Sequence, residues 1–263
     1  MSSHDEAPLF GRHPVLELLR AESRRMDELA ILAHGRSPAL QELLTLARSR
    51  GVKVSFRTRD QLTAMAGTSH HQGVVARVAA TSYADLDNLL AVPSERAEPA
   101  FLLALDRVQD PRNLGTVLRS AEATGAHGVI LSKHHSAGLT PAAARSATGA
   151  AEWVRVARVT NLVQSLEALK KEGVWIFGTV TSGGVPPWAA DLSTPLCLVL
   201  GGEGEGLRPL VARTCDLFLT LPMKGRLGSL NVAAAAAVLC YEVVRQRGAG
   251  AGPASIQKGL DLA

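Results

Sequence analysis

The sequence predicts an α/β protein with two lobes, and three observations support this prediction. Short apolar runs alternate with segments of helical periodicity along most of the chain. In the second half these runs are continuously apolar, which is typical of parallel strands covered on both faces. Between the halves, residues 81–99 contain two prolines and four acids against one base, which indicates a short helix and a connector. We therefore expect an N-terminal domain over residues 1–80, a linker over 81–98 and a C-terminal domain over 99–248.

Helices and strands alternate in the first lobe, which we expect to be a small α/β sandwich. Apolar residues recur at helical spacing in three segments, Pro14–Arg20, Pro38–Arg50 and Asp60–Ala66. Short apolar or β-branched runs predict strands at Glu28–Ala33, Val52–Phe56 and Gly73–Ala80.

The second lobe repeats this alternation with more strongly apolar strands. The predicted strands are Phe101–Leu105, Gly128–Leu131, Val174–Thr179 and Leu196–Leu200. The predicted helices are Leu114–Thr124, Thr140–Gly149, Leu162–Lys171 and a last one from about Ser229 to Arg247. We expect residues 249–263 to form a flexible tail.

Composition excludes several classes of protein. The chain has 263 residues, of which 46% are apolar and 20% charged, so it is neither disordered nor fibrous. The longest uncharged apolar run, Val232–Tyr241, is shorter than a membrane span, and the first residues lack the apolar core of a signal peptide. Three scattered cysteines form no CxxC motif, which favours a reducing compartment, and we expect a cytoplasmic location. A net charge of +4 modestly favours a nucleic-acid partner, whereas 4% aromatic residues argue against a base-stacking platform.

Three segments carry polar side chains where a strand ends, which is where ligands gather in open α/β sheets. The first follows Leu105 and contains Asn113 and Arg119. Local features fit Asn113 as an ordinary helix N-cap and Arg119 as a solvated charge. The two side chains can also converge on a ligand at the edge of the sheet.

The second segment is the glycine loop that follows Leu200, with the sequence GGEGEGL at residues 201–207. Leu207 stands where a dinucleotide-binding GxGxxG needs glycine, and no Lys-Ser/Thr pair follows Gly206, so both common nucleotide loops are excluded. A plain turn explains the glycines. They also permit close approach of the backbone to a ligand, and Glu203 can accept hydrogen bonds from a hydroxyl or an amine.

The third segment, residues 221–232, precedes a helix that is rich in alanine. Ser229 and Asn231 are placed at its N-terminus, where amide donors and the helix dipole favour an anion such as an RNA phosphate. Lys224 and Arg226 add positive charge nearby. Either Ser229 or Asn231 is also suited to cap the helix.

In their order along the chain, these segments resemble the three motifs of the SpoU (TrmH) family of RNA ribose 2′-O-methyltransferases, within the SPOUT superfamily. The matching stretches are NLGTVLR at 113–119, LVLGGEGEGL at 198–207 and LPMKGRLGSLNVAAA at 221–235. Two further stretches, FGRHPV at 10–15 and HQGVVARV at 71–78, are most similar to the two-domain branch that methylates a guanosine of 23S rRNA. The resemblance extends over residues 10–247.

This resemblance implies a C-terminal parallel sheet whose last segments form a deep trefoil knot, an exception to the rule that chains do not knot. It implies an N-terminal RNA substrate-binding domain similar to L7Ae/L30e modules. It also implies S-adenosyl-L-methionine as cofactor, RNA as substrate, and a homodimer that pairs through the C-terminal domain near the active site. We expect no membrane partner and no metal, since the adjacent His pairs at 70–71 and 134–135 lack ligand spacing and no HExxH motif occurs.

The resemblance assigns roles to individual residues. It implies that the cofactor is held by Thr179, Gly201, Gly202, Leu221, Met223 and Leu230. It implies a catalytic group of Asn113, Arg119, Glu203, Ser229 and Asn231, all of which this sequence retains. In the first lobe we expect RNA contacts at Arg12, His13, Arg24, Arg25, His71 and Arg77, although a solvated face explains the arginines equally well.

Several alternatives remain open. Within the family, the substrate is a guanosine of 23S rRNA, a guanosine of tRNA, or an adenosine of rRNA as in antibiotic-resistance relatives. An RNA-binding protein without catalysis is expected to lack Arg119 or Asn231, and both are present. A Rossmann oxidoreductase is disfavoured by the failed GxGxxG match.

Overall fold

Two separate sheets organise the chain in a computed structural model that describes residues 7–33 and 37–248. The predicted tail over 249–263 lies outside the described residues. The strands are β1 (Ala7–Phe10), β2 (Met26–Leu32), β3 (Lys53–Arg57), β4 (Val74–Val78), β5 (Phe101–Asp106), β6 (Gly128–Ser132), β7 (Val156–Val159), β8 (Trp175–Thr179), β9 (Leu196–Gly201) and β10 (Leu217–Leu219). The helices are α1 (Arg12–Ala21), α2 (Pro38–Ser49), α3 (Arg59–Ala66), α4 (Leu86–Arg96), α5 (Pro111–Ala123), α6 (Pro141–Ala147), α7 (Leu162–Lys171), α8 (Pro209–Thr214) and α9 (Val232–Gly248).

The first lobe contains a mixed sheet with the strand order β1-β4-β2-β3. Strands β1 and β2 run antiparallel to β4, and β3 runs parallel to β2. Helices α1 and α2 bury Leu18 and Leu43 against one face, and α3 buries Leu62 against the other. Alternate residues of β2, such as Leu29 and Ala30, therefore belong to different cores.

The second lobe contains a six-stranded sheet with the order β10-β8-β9-β5-β6-β7, and every neighbouring pair is parallel. Leu103 and Leu105 of β5 face a core that includes residues of α5, α6 and α9. Leu102 and Ala104 face the opposite core, which includes residues of α4, α7 and α8. The predicted parallel sheet with two covered faces is confirmed.

Helix α4 lies within residues 81–98 and packs on the second lobe. Its Leu89 is fully buried, and a side chain at Gly128 of β6 would lie 2.7 Å from the Leu89 Cγ. Helix α4 is therefore held by the second core and is not an extended spacer.

A buried ion pair joins the two lobes. The Nη2 atom of Arg24 lies 2.6 Å from Oε1 of Glu152, with side-chain exposures of 10% and 2%. The Ser23 hydroxyl donates to the other Glu152 oxygen, and Arg24 Nη1 donates to the Ala79 carbonyl. The RNA contact predicted at Arg24 stays a prediction, and the structure gives it no support, because this guanidinium is largely buried and donates within the protein.

Two helix starts differ from the prediction. Helix α5 begins at Pro111 and is capped by Asp110, whose Oδ1 accepts from the Arg112 amide over 2.8 Å. Asn113 therefore lies in the first helical turn and is not the cap. Helix α9 begins at Val232 rather than near Ser229, which leaves Ser229 in the preceding loop.

Within the described ranges, no helix is both long enough and apolar enough to span a bilayer. In the same part of the chain, no group of three or more His, Cys, Asp or Glu side chains is arranged to hold a metal ion.

Candidate active site

The carboxyl ends of β5 and β9 lie side by side in the middle of the second sheet, with Asp106 and Gly201 as register partners. From β5 the chain continues to β6 and β7 on one side of the sheet. The later strands β8, β9 and β10 fill the other side. The strand order reverses at this point, which is where open α/β sheets bind their ligands.

Three of the predicted catalytic side chains form a closed hydrogen-bonded triangle at this point. Asn113 Nδ2 donates to Glu203 Oε1 over 2.6 Å. Asn231 Nδ2 lies 3.0 Å from the same oxygen and 3.1 Å from Asn113 Oδ1. The triangle joins three segments that are far apart in the chain, so it fixes the direction of the Glu203 carboxylate.

Asn231 has a second role as the cap of α9. Its Oδ1 accepts hydrogen bonds from the amides of Ala233 and Ala234, at 2.9 and 3.4 Å. The amide oxygen is thereby occupied by the helix, and the amide nitrogen points to the triangle. The predicted cap at the start of this helix is confirmed for Asn231, because of these two bonds.

The glycine loop is held against the end of β5. Asp106 is fully buried, and its carboxylate accepts from the amide and Nε of Arg208 over 2.9 and 2.7 Å. Arg107 forms an ion pair with Glu205. A Cβ at Gly202 would lie 2.4 Å from the Arg107 carbonyl oxygen, so only glycine fits there.

Sequence reasoning missed the clamp between Asp106 and Arg208. An aspartate at the end of a wholly apolar strand was the available signal, because a buried carboxylate requires a partner. The partner follows the glycine loop, 102 residues later in the chain.

A cavity of about 650 Å³ adjoins the glycine loop, within the size range of small-molecule sites. Its lining includes all six predicted cofactor residues, Thr179, Gly201, Gly202, Leu221, Met223 and Leu230. It also includes Glu203, Ser229 and Asn231 from the predicted catalytic group. The structure thus brings together nine residues that the sequence analysis selected from three separate segments.

The walls of the cavity combine apolar side chains with free backbone groups. Phe218 and Leu239 line it, and both were missed by the sequence analysis, which predicted no strand at β10. Among the described residues, no backbone group between 221 and 230 has a hydrogen-bond partner. Such a site fits a ligand that has a flat apolar part and polar edges, because the unpaired amides and carbonyls are available to those edges.

Arg119 and Ser229 are not joined to the triangle. Arg119 is exposed on α5, on the helix face that also presents Arg112 and Thr116. Neither Arg119 nor Ser229 has a side-chain hydrogen bond or ion pair within the described ranges. Both are therefore free to contact a substrate.

The predicted RNA residues of the first lobe have different environments. His71 is 2% exposed, and its Nδ1 accepts from the Gly73 amide over 3.0 Å. Burial lowers the pKa of His71, with a smaller contribution from the charge of Arg59. The RNA contact predicted at His71 stays a prediction, and the structure gives it no support, because this ring is buried and stabilises a turn.

The remaining residues of that set lie at the surface. Arg25 pairs with Asp27 over 2.8 Å, and Arg77 Nη1 lies 4.0 Å from Glu28. Arg12 Nε donates to the Gln72 carbonyl over 3.2 Å. His13 is exposed beside it at the start of α1.

Comparison with known families matches both lobes. Residues 100–241 match the SpoU rRNA Methylase family, and residues 8–84 match the RNA 2′-O ribose methyltransferase substrate-binding family. A 23S rRNA (guanosine-2′-O-)-methyltransferase, RlmB of Ralstonia nicotianae, is 43% identical over 91% of this chain and 95% of its own length. The putative TrmH family tRNA/rRNA methyltransferase YacO of Bacillus subtilis is 41% identical over the same shares of the two chains.

Solved structures show the same architecture. The SpoU methyltransferase AviRb from Streptomyces viridochromogenes, in complex with AdoMet, superposes with a TM-score of 0.77 and 28% identity, over 92% of this chain and 91% of AviRb. The AdoMet-bound rRNA methyltransferase from Sinorhizobium meliloti superposes with a TM-score of 0.76 and 26% identity, over 91% of this chain and 87% of that protein. With both lobes matched and the motif residues gathered around one cavity, the chain belongs to the SpoU rRNA methylase family.

Proposed function

We propose that this protein transfers a methyl group from S-adenosylmethionine to a ribose 2′-hydroxyl of RNA, and that its target is a guanosine of 23S rRNA. The observation that carries this proposal is the Asn113–Glu203–Asn231 triangle beside a cavity lined by all six cofactor residues. The 23S target is supported by the RlmB relative, which is similar over both lobes.

In this proposal the cofactor occupies the cavity between the glycine loop and residues 221–230. Backbone groups of Gly201, Leu221 and Leu230 bind its polar edges, and Thr179, Gly202 and Met223 complete the wall. Bound there, S-adenosylmethionine supplies a methyl group that its positively charged sulfur activates toward in-line attack. The two AdoMet complexes among the similar structures support this assignment.

The side chains around the cavity align and activate the ribose hydroxyl. A guanidinium group has no basic lone pair to accept a proton in a protein, so Arg119 is unsuited to act as a general base. We assign it to the phosphate of the target nucleotide, where its charge lowers the pKa of the hydroxyl. Asn113 and Ser229 orient the hydroxyl, and the proton leaves through the phosphate or water. Much of the rate enhancement then comes from positioning.

We propose further that the protein is a homodimer that pairs through its C-terminal domain. Val238, Tyr241 and Val244 are exposed apolar residues that follow one face of α9. Exposed apolar patches of this kind mark protein interfaces. Sedimentation of the wild-type protein and of Tyr241→Glu tests the assignment: a monomeric wild type contradicts it.

Labelled-methyl transfer onto unmodified 23S rRNA and tRNA in parallel, followed by digestion to nucleosides, tests the activity. Label in 2′-O-methylguanosine from 23S rRNA alone is the expected result. Label from tRNA, or in adenosine, contradicts the substrate while the chemistry stands. No label from either RNA, with cofactor binding intact, contradicts the activity and favours an RNA-binding protein without catalysis.

A further inference from the structure

A second cleft, of about 520 Å³, lies between the two lobes. Its N-terminal side is formed by the start of α1 and the loop after α3, which contribute His13, Thr68 and His70. Its C-terminal side is formed by Arg145 of α6 and by Thr148, the residue that follows this helix. No Asp or Glu is among the described residues that line this interlobe cleft. The interlobe cleft is therefore lined by hydrogen-bond donors and by the positive charge of Arg145, and no carboxylate in its lining offsets that charge.

Arg145 places a guanidinium group at this cleft. Its guanidinium carbon lies 5.0 Å from the centroid of the Phe10 ring, so the cation of one lobe stacks on an aromatic side chain of the other. Arg145 is exposed and has no ion-pair partner in the described ranges. Stacking uses the face of the guanidinium and leaves its N–H edges free for an oxyanion.

The interlobe cleft lies next to the helix that carries Asn113 and Arg119. Helix α6 packs tightly on α5 at Gly115, where a Cβ would lie 2.4 Å from the Ala143 carbonyl oxygen and 2.5 Å from the Ser146 Cβ. The axes of packed helices are about 8–10 Å apart, and a contact through glycine gives a distance near the lower limit of this range. The interlobe cleft is therefore one helix away from α5, which carries Asn113 and Arg119.

We propose that the interlobe cleft binds the phosphodiester backbone of the RNA substrate, with Arg145 as a phosphate ligand supplied by the methyltransferase lobe. The inference rests on the proposed function for the identity of the polymer. RNA is favoured over an acidic protein because one wall of the cleft belongs to the lobe that matches a substrate-binding family. Arginine forks bind phosphate oxygens through two parallel hydrogen bonds, which suits a strand that lies between the lobes.

Two substitutions separate phosphate binding from lobe packing. Arg145→Met removes the charge but keeps a long flexible side chain over Phe10, and Arg145→Lys keeps the charge. Arg213→Ala is the matched control, because Arg213 is an exposed arginine on α8, which packs on the opposite face of the same sheet. For each full-length protein we measure filter binding of a transcribed 23S rRNA fragment across a range of KCl concentrations. S-adenosylmethionine affinity and small-angle scattering are measured on the same samples.

Arg145→Met is expected to weaken RNA binding about tenfold, the usual contribution of one charge-assisted hydrogen bond. It should also reduce the slope of log Kd against log salt by about one, because one fewer counterion is released. Arg145→Lys should recover most of the affinity, and Arg213→Ala should match wild type. Unchanged RNA affinity in Arg145→Met overturns the proposal, as does weaker binding with an unchanged salt slope.

A change in scattering that accompanies the loss and is not rescued by lysine also overturns it, because Arg145 would then serve only lobe packing. Binding is measured without methyl transfer, so an inactive wild type would contradict the proposed function and leave this test interpretable.

Discussion

Asn231 donates to Glu203 Oε1 over 3.0 Å while its own oxygen caps α9, so one amide side chain serves both the helix and the site. Aspartate at this position keeps the cap but places a second carboxylate against Glu203. We expect Asn231→Asp to lower kcat/KM about 100-fold, similar to the loss of one oriented donor.

Methyl-transfer kinetics and thermal melting check this prediction together. The melting temperature should stay close to wild type, because aspartate caps helices as well as asparagine does. Wild-type kcat/KM in the variant would show that the triangle is not needed.

Arg119→Lys tests the bidentate role proposed for this exposed arginine. Lysine keeps the charge but lacks the planar fork, so turnover should fall about 100-fold while S-adenosylmethionine binding is unchanged. Arg213→Lys, an exposed change on the opposite face of the sheet, is the control and should be neutral. Near wild-type turnover in Arg119→Lys contradicts the bidentate contact.

Gly202→Ala should abolish cofactor binding by displacing the glycine loop. The added methyl would lie 2.4 Å from the Arg107 carbonyl oxygen, which is backbone and unable to move cheaply. Gly225→Ala is the matched control, because nothing lies within 4 Å of its added methyl. Titration calorimetry with S-adenosylmethionine distinguishes the two; equal affinities would mean that the loop tolerates a side chain.

Glu152→Ala should loosen the junction between the lobes. It leaves Arg24 buried without its carboxylate, which costs about 3 kcal/mol for a buried pair. Glu205→Ala removes the partner of Arg107, but Glu205 is 75% exposed, so its loss should cost less than about 1 kcal/mol. In differential scanning calorimetry, the first unfolding transition should occur at a lower temperature in Glu152→Ala than in wild type, and should be unchanged in Glu205→Ala. Equal thermograms for the two variants would refute this role for Arg24 and Glu152.

Stability should fall as the pH is lowered below about 6.5, the usual histidine pKa. Burial lowers the pKa of His127, and its Nδ1 accepts from the Phe101 amide over 2.9 Å, so the folded protein needs the neutral ring. The unfolded chain then binds more protons at low pH, and unfolding becomes easier as the pH falls. His127→Gln should flatten the profile of melting temperature between pH 7.5 and 5.5; an unaltered profile assigns the dependence to other groups.

The parallel sheet could be predicted from the sequence because its signals are local, whereas the residues proposed to hold the cofactor followed from the resemblance of the three motifs to a known family. Each strand of the second lobe that was predicted is a continuous apolar run, and the motif residues follow strand ends directly. Strand β10 has three residues, two of them only partly buried, and carries no comparable signal. Phe218 of this strand, which lines the cavity, was therefore not among the residues predicted to bind the cofactor.

The roles of Arg24 and His71 could not be predicted, because they depend on contacts between distant segments. Arg24 meets Glu152 across 128 residues of sequence, and nothing near either residue indicates the pairing. A buried histidine that completes a turn has the same local sequence as an exposed one. The trefoil knot stays a prediction, since strand order and side-chain contacts describe neighbours and not the threading of the chain.

The cofactor cavity takes residues from β8, from the glycine loop and from positions as late as Leu239 in α9. No partly synthesised chain that stops before this helix can assemble it. In the proposed function, S-adenosylmethionine binding therefore requires the native arrangement of the whole second lobe. For variants whose substituted residue lies outside the cavity, it also reports correct folding.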